Sequence, residues 1–318
     1  MPAGLLGIES LDRVEIESIL DRARDFQPEQ DHRFKRLDLL RGRMVVNLFF
    51  EASTRTRTSF EIAAKRLGAD AISITASGSS VSKGESLVDT LNTLNAMHPD
   101  AIIMRHSASG APHFLARHMD VPIVNAGDGL HEHPTQALLD ARTILDRCPT
   151  LENLKVAIIG DIAHSRVARS NIYLLSKFGT QVVLCGPAPL LPTEFAQIVP
   201  GVSLTTDMRE AIRDADVIMM LRVQLERQHE AAFPAGEYFQ FYGLRREHIE
   251  LAKPEVLVMH PGPINRGREI SSEVADSQRS VILNQVENGV AVRMAVLERV
   301  LLKPNHEPTT NNAERVSS

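Results

Sequence analysis

The sequence predicts two α/β domains, each a doubly wound parallel sheet covered by helices, with the active site in the cleft between them. Three observations carry this expectation. Short apolar, β-branched runs alternate with runs of helical period along nearly the whole chain. The alternation breaks at Cys148-Pro149-Thr150, where a proline and polar residues follow the pattern ending at Leu145. The residues suited to chemistry fall just after the strands, at the edge where parallel α/β sheets bind ligands. A chain of 318 residues with 43% hydrophobic content can bury a large core, and its length favours two domains. The expected division is residues 1–148 and 149–284, with a last helix over 285–302 and a disordered tail over 303–318.

In order, Ile16, Ile19, Leu20 and Ala23 mark an amphipathic helix, followed by a polar connection from Gln27 to Arg36. Strands are expected near 44–50, 71–75, 101–105 and 121–125, and helices near 54–67, 84–97, 110–118 and 134–147. A second series starts at Leu154, with further strands near 181–185, 202–205, 216–221 and 255–259. Val286, Val290, Met294, Leu297 and Leu301 form the apolar stripe of the last helix.

Bulk properties narrow the function classes. A net charge of -5 and a pI near 6.2 argue against nucleic acid as partner, so any positive field must be local. Cys148 and Cys185 form no C-x-x-C pair, which fits a reducing compartment and supports neither a zinc site nor a disulfide framework. Met1 to Glu9 lacks the basic start and apolar core of a signal peptide, and no apolar run approaches a membrane span. A cytoplasmic protein with no membrane contact is expected.

Ser53-Thr54-Arg55-Thr56-Arg57 sits between the strand-like run Met44 to Phe50 and a helix marked by Phe60, Ala63, Ala64 and Leu67. Such a turn gathers unpaired backbone N–H groups and the positive end of a helix dipole, to which this one adds three hydroxyls and two guanidinium groups. A phosphate is the ligand it suits. Ser53 or Thr54 could instead simply cap the helix, although two arginines in a first turn run against the dipole. After the other strands come Ser77 to Glu85, Arg105 and His106, Asp128 to Gln136, Gly160 to Arg166, Arg222 to Gln224 and His260 to Pro263.

The bland alternatives differ from site to site. Ser82 and Glu85 read as a capping box, which leaves Lys83 unexplained. His133 precedes Pro134 at a helix start and could be structural. His131-Glu132-His133 lacks the H-E-x-x-H spacing, so no metal is expected. Gly160 to Arg166 follows a strand and could suggest a nucleotide, but Ile162 and Ser165 stand where G-x-G-x-x-G needs glycines. Arg166 and Arg222 are either solvated charges or, as a pair at strand ends of one domain, a grip for a small dicarboxylate.

Phe50-Glu51-Ala52-Ser53-Thr54-Arg55-Thr56-Arg57-Thr58-Ser59-Phe60-Glu61 resembles the signature of the aspartate and ornithine carbamoyltransferases. The likeness continues through Met104-Arg105-His106, His133-Pro134-Thr135-Gln136, Leu221-Arg222-Val223-Gln224 and His260-Pro261-Gly262-Pro263, over about residues 5 to 302. It implies transfer of a carbamoyl group from carbamoyl phosphate to an amino acid, without a cofactor. By resemblance, Ser53, Thr54, Arg55 and Thr56 hold the phosphate, and Arg105 bridges phosphate and carbonyl. Gln136 and the Gly262-Pro263 backbone hold the carbamoyl amide, while Thr56, Arg105 and His133 stabilise the developing oxyanion. Arg166, Arg222, Gln224 and Lys83 would grip L-aspartate, with Lys83 supplied by the neighbouring subunit of a homotrimer. The last helix would pack back on the first domain.

The second domain favours the aspartate branch. Pro261 stands where ornithine enzymes have a Cys, Arg166 replaces their Asn-rich turn, and a Ser-Met-Gly loop is missing from the sequence. Gly262 departs from the Leu or Ala of many aspartate enzymes. Because only the carbonyl there binds, activity is not placed in doubt; the change is a candidate mark of a subgroup with a dihydroorotase-like partner, a regulatory chain being the other partner to consider.

Overall fold

In the computed structural model, which describes residues 4–28, 34–75, 87–222 and 235–302, Asp12 and Glu15 open the first helix by a reciprocal capping box. This helix, α1 (Arg13–Asp25), turns Ile16, Ile19, Leu20 and Ala23 inward. The first sheet follows as β1 (Met44–Phe49), β2 (Asp70–Thr75), β3 (Ala101–His106) and β4 (Ile123–Asp128), interleaved with α2 (Thr54–Arg66), α3 (Leu87–Asn95), α4 (Ala111–His118) and α5 (Pro134–Leu145). The second comprises β5 (Lys155–Ile159), β6 (Gln181–Cys185), β7 (Val202–Thr205), β8 (Val217–Met220) and β9 (Leu257–Met259). With it go α6 (Arg166–Ser176), α7 (Phe195–Ile198), α8 (Met208–Ile212), α9 (Ala235–Tyr242), α10 (Arg246–Ile249), α11 (Ser272–Ala275) and the long α12 (Ile282–Leu302).

Among the described residues every strand pairing is parallel, in the orders β2-β1-β3-β4 and β7-β6-β5-β8-β9. Both orders reverse direction once, at β1/β3 and at β5/β8. At such a reversal the connections leave to opposite faces and open a crevice beyond the strand ends. Register sets what meets there. Phe49 is level with Arg105, so the turn after β1 and the end of β3 leave the sheet at one height. Ile159 is level with Met220, which does the same for the segments leading to Arg166 and Arg222.

One apolar cluster runs from the inner face of the first sheet through α1, α5, α6 and α12 to the second sheet, and two smaller clusters cover the outer faces. Helix α5 lies at its centre, packed on α1, α6 and α12. Ala137, Leu138, Ala141, Ile144 and Leu145 recur at helical spacing and mark one buried face, yet every residue from Pro134 to Ile144 is buried, including Asp140, Arg142 and Thr143. The cause is contact with helices on all sides, which the local hydrophobic period cannot register. In α12, Val290, Met294 and Leu297 are buried, but Val286 is half exposed because that end of the helix borders the cleft. The same helix packs on α1, α2 and α5, all from the first half of the chain.

The Cys185 thiol is buried and pushed up to about 12, and burial also raises half-buried Cys148, so neither is poised as a nucleophile. Among the described residues, no helix is long and apolar enough to cross a membrane.

Candidate active site

Ser53 occupies the N-cap of α2 with extended backbone, yet its side chain makes no capping hydrogen bond. The hydroxyl is therefore not consumed by the helix it precedes, and no acidic residue neutralises the first turn. The turn opens on a cleft of about 1110 Å³ between the two sheets. Arg55, Arg105, Arg166, Arg222 and Arg293 line this space, against Glu51 as the one carboxylate among the described lining residues. Five cations and one anion leave a formal charge of +4, in a chain whose total is -5. The local positive field expected from the sequence is there. Burial, and then Arg222, lowers the affinity of Arg55 for its proton, so guanidinium groups from the two halves repel across the cleft. A ligand with several negative charges relieves that repulsion.

Glu51 organises the arginines. Its carboxylate accepts from Arg105 Nη2 at 2.6 Å, and from Arg166 Nη2 at 2.6 Å and Nη1 at 3.1 Å. Arg166 also donates to the Gly129 carbonyl at 3.2 Å, and its side chain is only 4% exposed. The solvated reading of Arg166 is thereby excluded. The two guanidinium groups converge over Gly127, at φ +114, where a Cβ would lie 3.0 Å from Arg166 Nε and 3.2 Å from Arg105 Nη1. Glycine is required there by both backbone and space.

His133 is the N-cap of α5, with Pro134 in the first helical position as the sequence implied. Its backbone N–H donates to Ser170 Oγ at 2.9 Å, and Ser170 in turn donates to buried Glu132 at 2.8 Å. Burial and the nearby Arg105, Arg166 and Arg293 hold the imidazole well below its ordinary pKa. It is neutral at pH 7 and serves as a hydrogen-bonding group rather than a cation. Its Nδ1 is buried without a hydrogen-bond partner among the described residues.

Gln136 donates from Nε2 to Asp140 at 2.9 Å, which leaves its carbonyl oxygen as the end available to a ligand N–H. Asp140 also accepts from Gln285 at 2.7 Å and Asn171 at 2.8 Å. Burial nonetheless pushes its carboxyl up to about 6. Gln285 accepts from the backbone N–H of His260 at 2.9 Å, so one buried network joins α5, α6, α12 and the segment after β9. His260 Nδ1 accepts the Gly262 N–H at 2.8 Å, placing the ring proton on Nε2. Burial, then Arg55 and Arg222, brings this histidine down to about 3. Gly262 has φ +66 and a cis bond to Pro263; a Cβ at Gly262 would sit 3.3 Å from Arg55 Cζ. Glycine in place of a larger residue thus gives Arg55 room.

Ser53, Thr54, Arg55, Thr56, Arg105, His133, Gln136, Arg166, Arg222, Gly262 and Pro263 all line this cleft. Lys83 and Gln224 lie outside the described residues, as do Ser82 and Glu85. Sequence reasoning assigned no role to Glu51, Asp140, Gln285 or Arg293. Only Glu51 carried a local signal, an acidic residue between a strand end and a cationic turn. The nucleotide alternative loses its main support, because Gly160 is explained by packing: φ is +143 and a Cβ would stand 2.8 Å from Leu221 Cβ.

Comparison with known proteins agrees with this geometry. Residues 4–146 match the family model "Aspartate/ornithine carbamoyltransferase, carbamoyl-P binding domain", and residues 152–300 match "Aspartate/ornithine carbamoyltransferase, Asp/Orn binding domain". The aspartate carbamoyltransferase catalytic subunit of Solibacter usitatus is 81% identical over 301 residues, covering 95% of this chain and 100% of its own length. Among solved structures, aspartate transcarbamoylase from Trypanosoma cruzi in complex with carbamoyl aspartate and phosphate is 33% identical. It superposes with a TM-score of 0.86 and covers 94% of this chain and 96% of that one. Ornithine carbamoyltransferase from Pyrococcus furiosus gives 0.82 at 31% identity, covering 93% and 96%, so the fold does not separate the two activities.

Proposed function

We infer the reaction from a plain premise: this chain belongs to the aspartate/ornithine carbamoyltransferase family. It transfers the carbamoyl group of carbamoyl phosphate to the amine of L-aspartate, giving N-carbamoyl-L-aspartate and phosphate, the committed step towards pyrimidines. The observation that carries the aspartate assignment within this cleft is its charge pattern. Arg166 and Arg222 border the half formed by the second sheet, matched to two carboxylates, while the Ser53–Thr56 turn and Arg105 border the phosphate half.

The assignment of roles is our reading of the cleft. Backbone N–H groups and hydroxyls of Ser53, Thr54 and Thr56, with Arg55, hold the phosphate. Arg105 spans phosphate and carbonyl oxygen. Gln136 accepts from the carbamoyl NH2 through the oxygen that Asp140 leaves facing outward, and the Gly262 carbonyl with Pro263 closes the other side. As the aspartate amine adds to the carbonyl carbon, negative charge grows on the carbonyl oxygen, where Thr56, Arg105 and neutral His133 donate. Collapse then breaks the bond from carbon to the phosphate oxygen, and the departing phosphate takes up the proton that the amine nitrogen gives up. Carbamoyl phosphate is already activated, so positioning and charge stabilisation suffice without a covalent intermediate or a cofactor.

Residues 1–148, with the helix over 285–302, form the carbamoyl phosphate half in this account, and residues 149–284 the aspartate half. Lys83 and Gln224 keep the aspartate-binding roles implied by resemblance, Lys83 acting on the adjacent subunit of a homotrimer. A cytoplasmic location and a regulatory or dihydroorotase-like partner subunit belong to the same reading. The test is product formation with aspartate, ornithine and other amines side by side. Aspartate should be carbamoylated and ornithine not; comparable turnover of ornithine overturns the assignment.

A further inference from the structure

Outside the cleft, α4 and the loop after β4 bring two histidines and a carboxylate together. His113, Asp128 and His131 each offer a ligand atom, and these atoms lie within 4.8 Å of one another. The rings of His113 and His131 meet edge to face with centroids 5.3 Å apart. His131 Nδ1 is 3.1 Å from Asp128 Oδ2, a separation that two ligands of one metal ion also adopt when each bond is about 2.1 Å long. His113 Nδ1 is buried and has no hydrogen-bond partner among the described residues. Glu9 stands beside the cluster, within the same distance of ligand atoms of His131 and Glu132.

We propose that His113, Asp128 and His131 bind a divalent transition-metal ion of the zinc type, with Glu9 or water completing its coordination. Two imidazoles and one carboxylate suit zinc, cobalt or nickel, whereas magnesium and calcium call for oxygen ligands. The linear spacing of His131 and His133 gave no reason to expect a metal, because the second histidine of the set comes from α4. Asp128 is already held in place, accepting from Gly110 N at 2.7 Å, Asn125 Nδ2 at 2.8 Å and Glu132 N at 3.1 Å, as an oriented metal ligand requires. On binding, the proton shared by His131 and Asp128 leaves for solvent and the ion takes its place. The ion then ties α4 to the loop that supplies the Gly129 carbonyl to Arg166.

The experiment uses the full chain without an affinity tag, stripped with chelator and titrated with Co2+ followed by visible absorption, then with Zn2+ in competition. About one ion per chain should bind, with cobalt bands that Zn2+ abolishes, and His113→Ala or His131→Ala should weaken binding at least about tenfold. His98→Ala, at an exposed histidine elsewhere, should bind as the parent does. His131→Asn keeps a donor for Asp128, so a folded variant that has lost the ion separates metal loss from misfolding. Zn2+ should also raise the thermal midpoint of the parent and not of His131→Asn. Absence of saturable binding, or binding indifferent to both histidine substitutions, overturns the proposal.

Discussion

Replacing Glu51 with glutamine removes a charge that joins Arg105 to Arg166 while keeping the shape of the side chain. The carboxylate, Arg105 and Arg166 are 22%, 11% and 4% exposed, so their hydrogen bonds are poorly screened. Each charge-assisted contact of this kind is worth about 1.5–3 kcal/mol. The amide retains one acceptor and turns an NH2 towards a guanidinium group, so the net loss should be about 2–3 kcal/mol, somewhat less than two full contacts. If that energy sets the two arginines for substrate, kcat/KM for aspartate falls roughly 30-fold to 150-fold. Steady-state kinetics at saturating carbamoyl phosphate measure it, and Glu51→Asp, which restores the charge, should recover part of the loss. A glutamine variant within threefold of the parent, or one that binds aspartate more tightly, would show that Glu51 merely neutralises an empty cleft.

Three further outcomes follow from the same site. Arg105→Ala should lower turnover far more than it weakens aspartate binding, because in the proposed mechanism its charge serves phosphate and oxyanion; unchanged turnover would remove it from the mechanism. Asp140 has a folded pKa raised to about 6 from 3.8, so its contribution favours folding below the lower value and is lost as pH rises through the higher. The stability of the parent relative to Asp140→Asn should therefore fall by up to about 3 kcal/mol between about pH 4 and pH 6 in urea unfolding; a pH-independent difference contradicts the burial argument. If Lys83 completes a neighbouring site, hybrids of Lys83→Ala and Arg55→Ala chains should recover up to roughly a quarter of parental activity, for random mixing with one contribution from each of two chains. Verified hybrids no more active than either variant would mean that Lys83 acts within its own subunit or not at all.

Much of this site is legible in the sequence for a local reason. Ser53 to Thr56, Arg105, His133, Arg166 and Arg222 lie at strand ends or helix starts, and period-two and period-3.6 patterns locate both. What escapes is set by contacts distant in sequence. Glu51 reaches Arg166 across 115 positions, and Gln285 reaches Asp140 across 145, so neither pairing leaves a local trace. Ser53 has the residue type and place of a cap, and only the structure shows its hydroxyl unused by the helix. The all-round burial of α5 arises from the second sheet's α6 and the returning α12, partners that its own residues do not encode.

The central claim is that one cleft holds a phosphate at the first sheet's crevice and a dicarboxylate at the second's. A crystal structure with N-(phosphonacetyl)-L-aspartic acid, which carries both groups in one molecule, tests it most directly. The account predicts the phosphonate on the Ser53–Thr56 turn and Arg105, with the carboxylates on Arg166 and Arg222. A ligand bound with its carboxylates on the Ser53–Thr56 turn, or outside this cleft altogether, would contradict it.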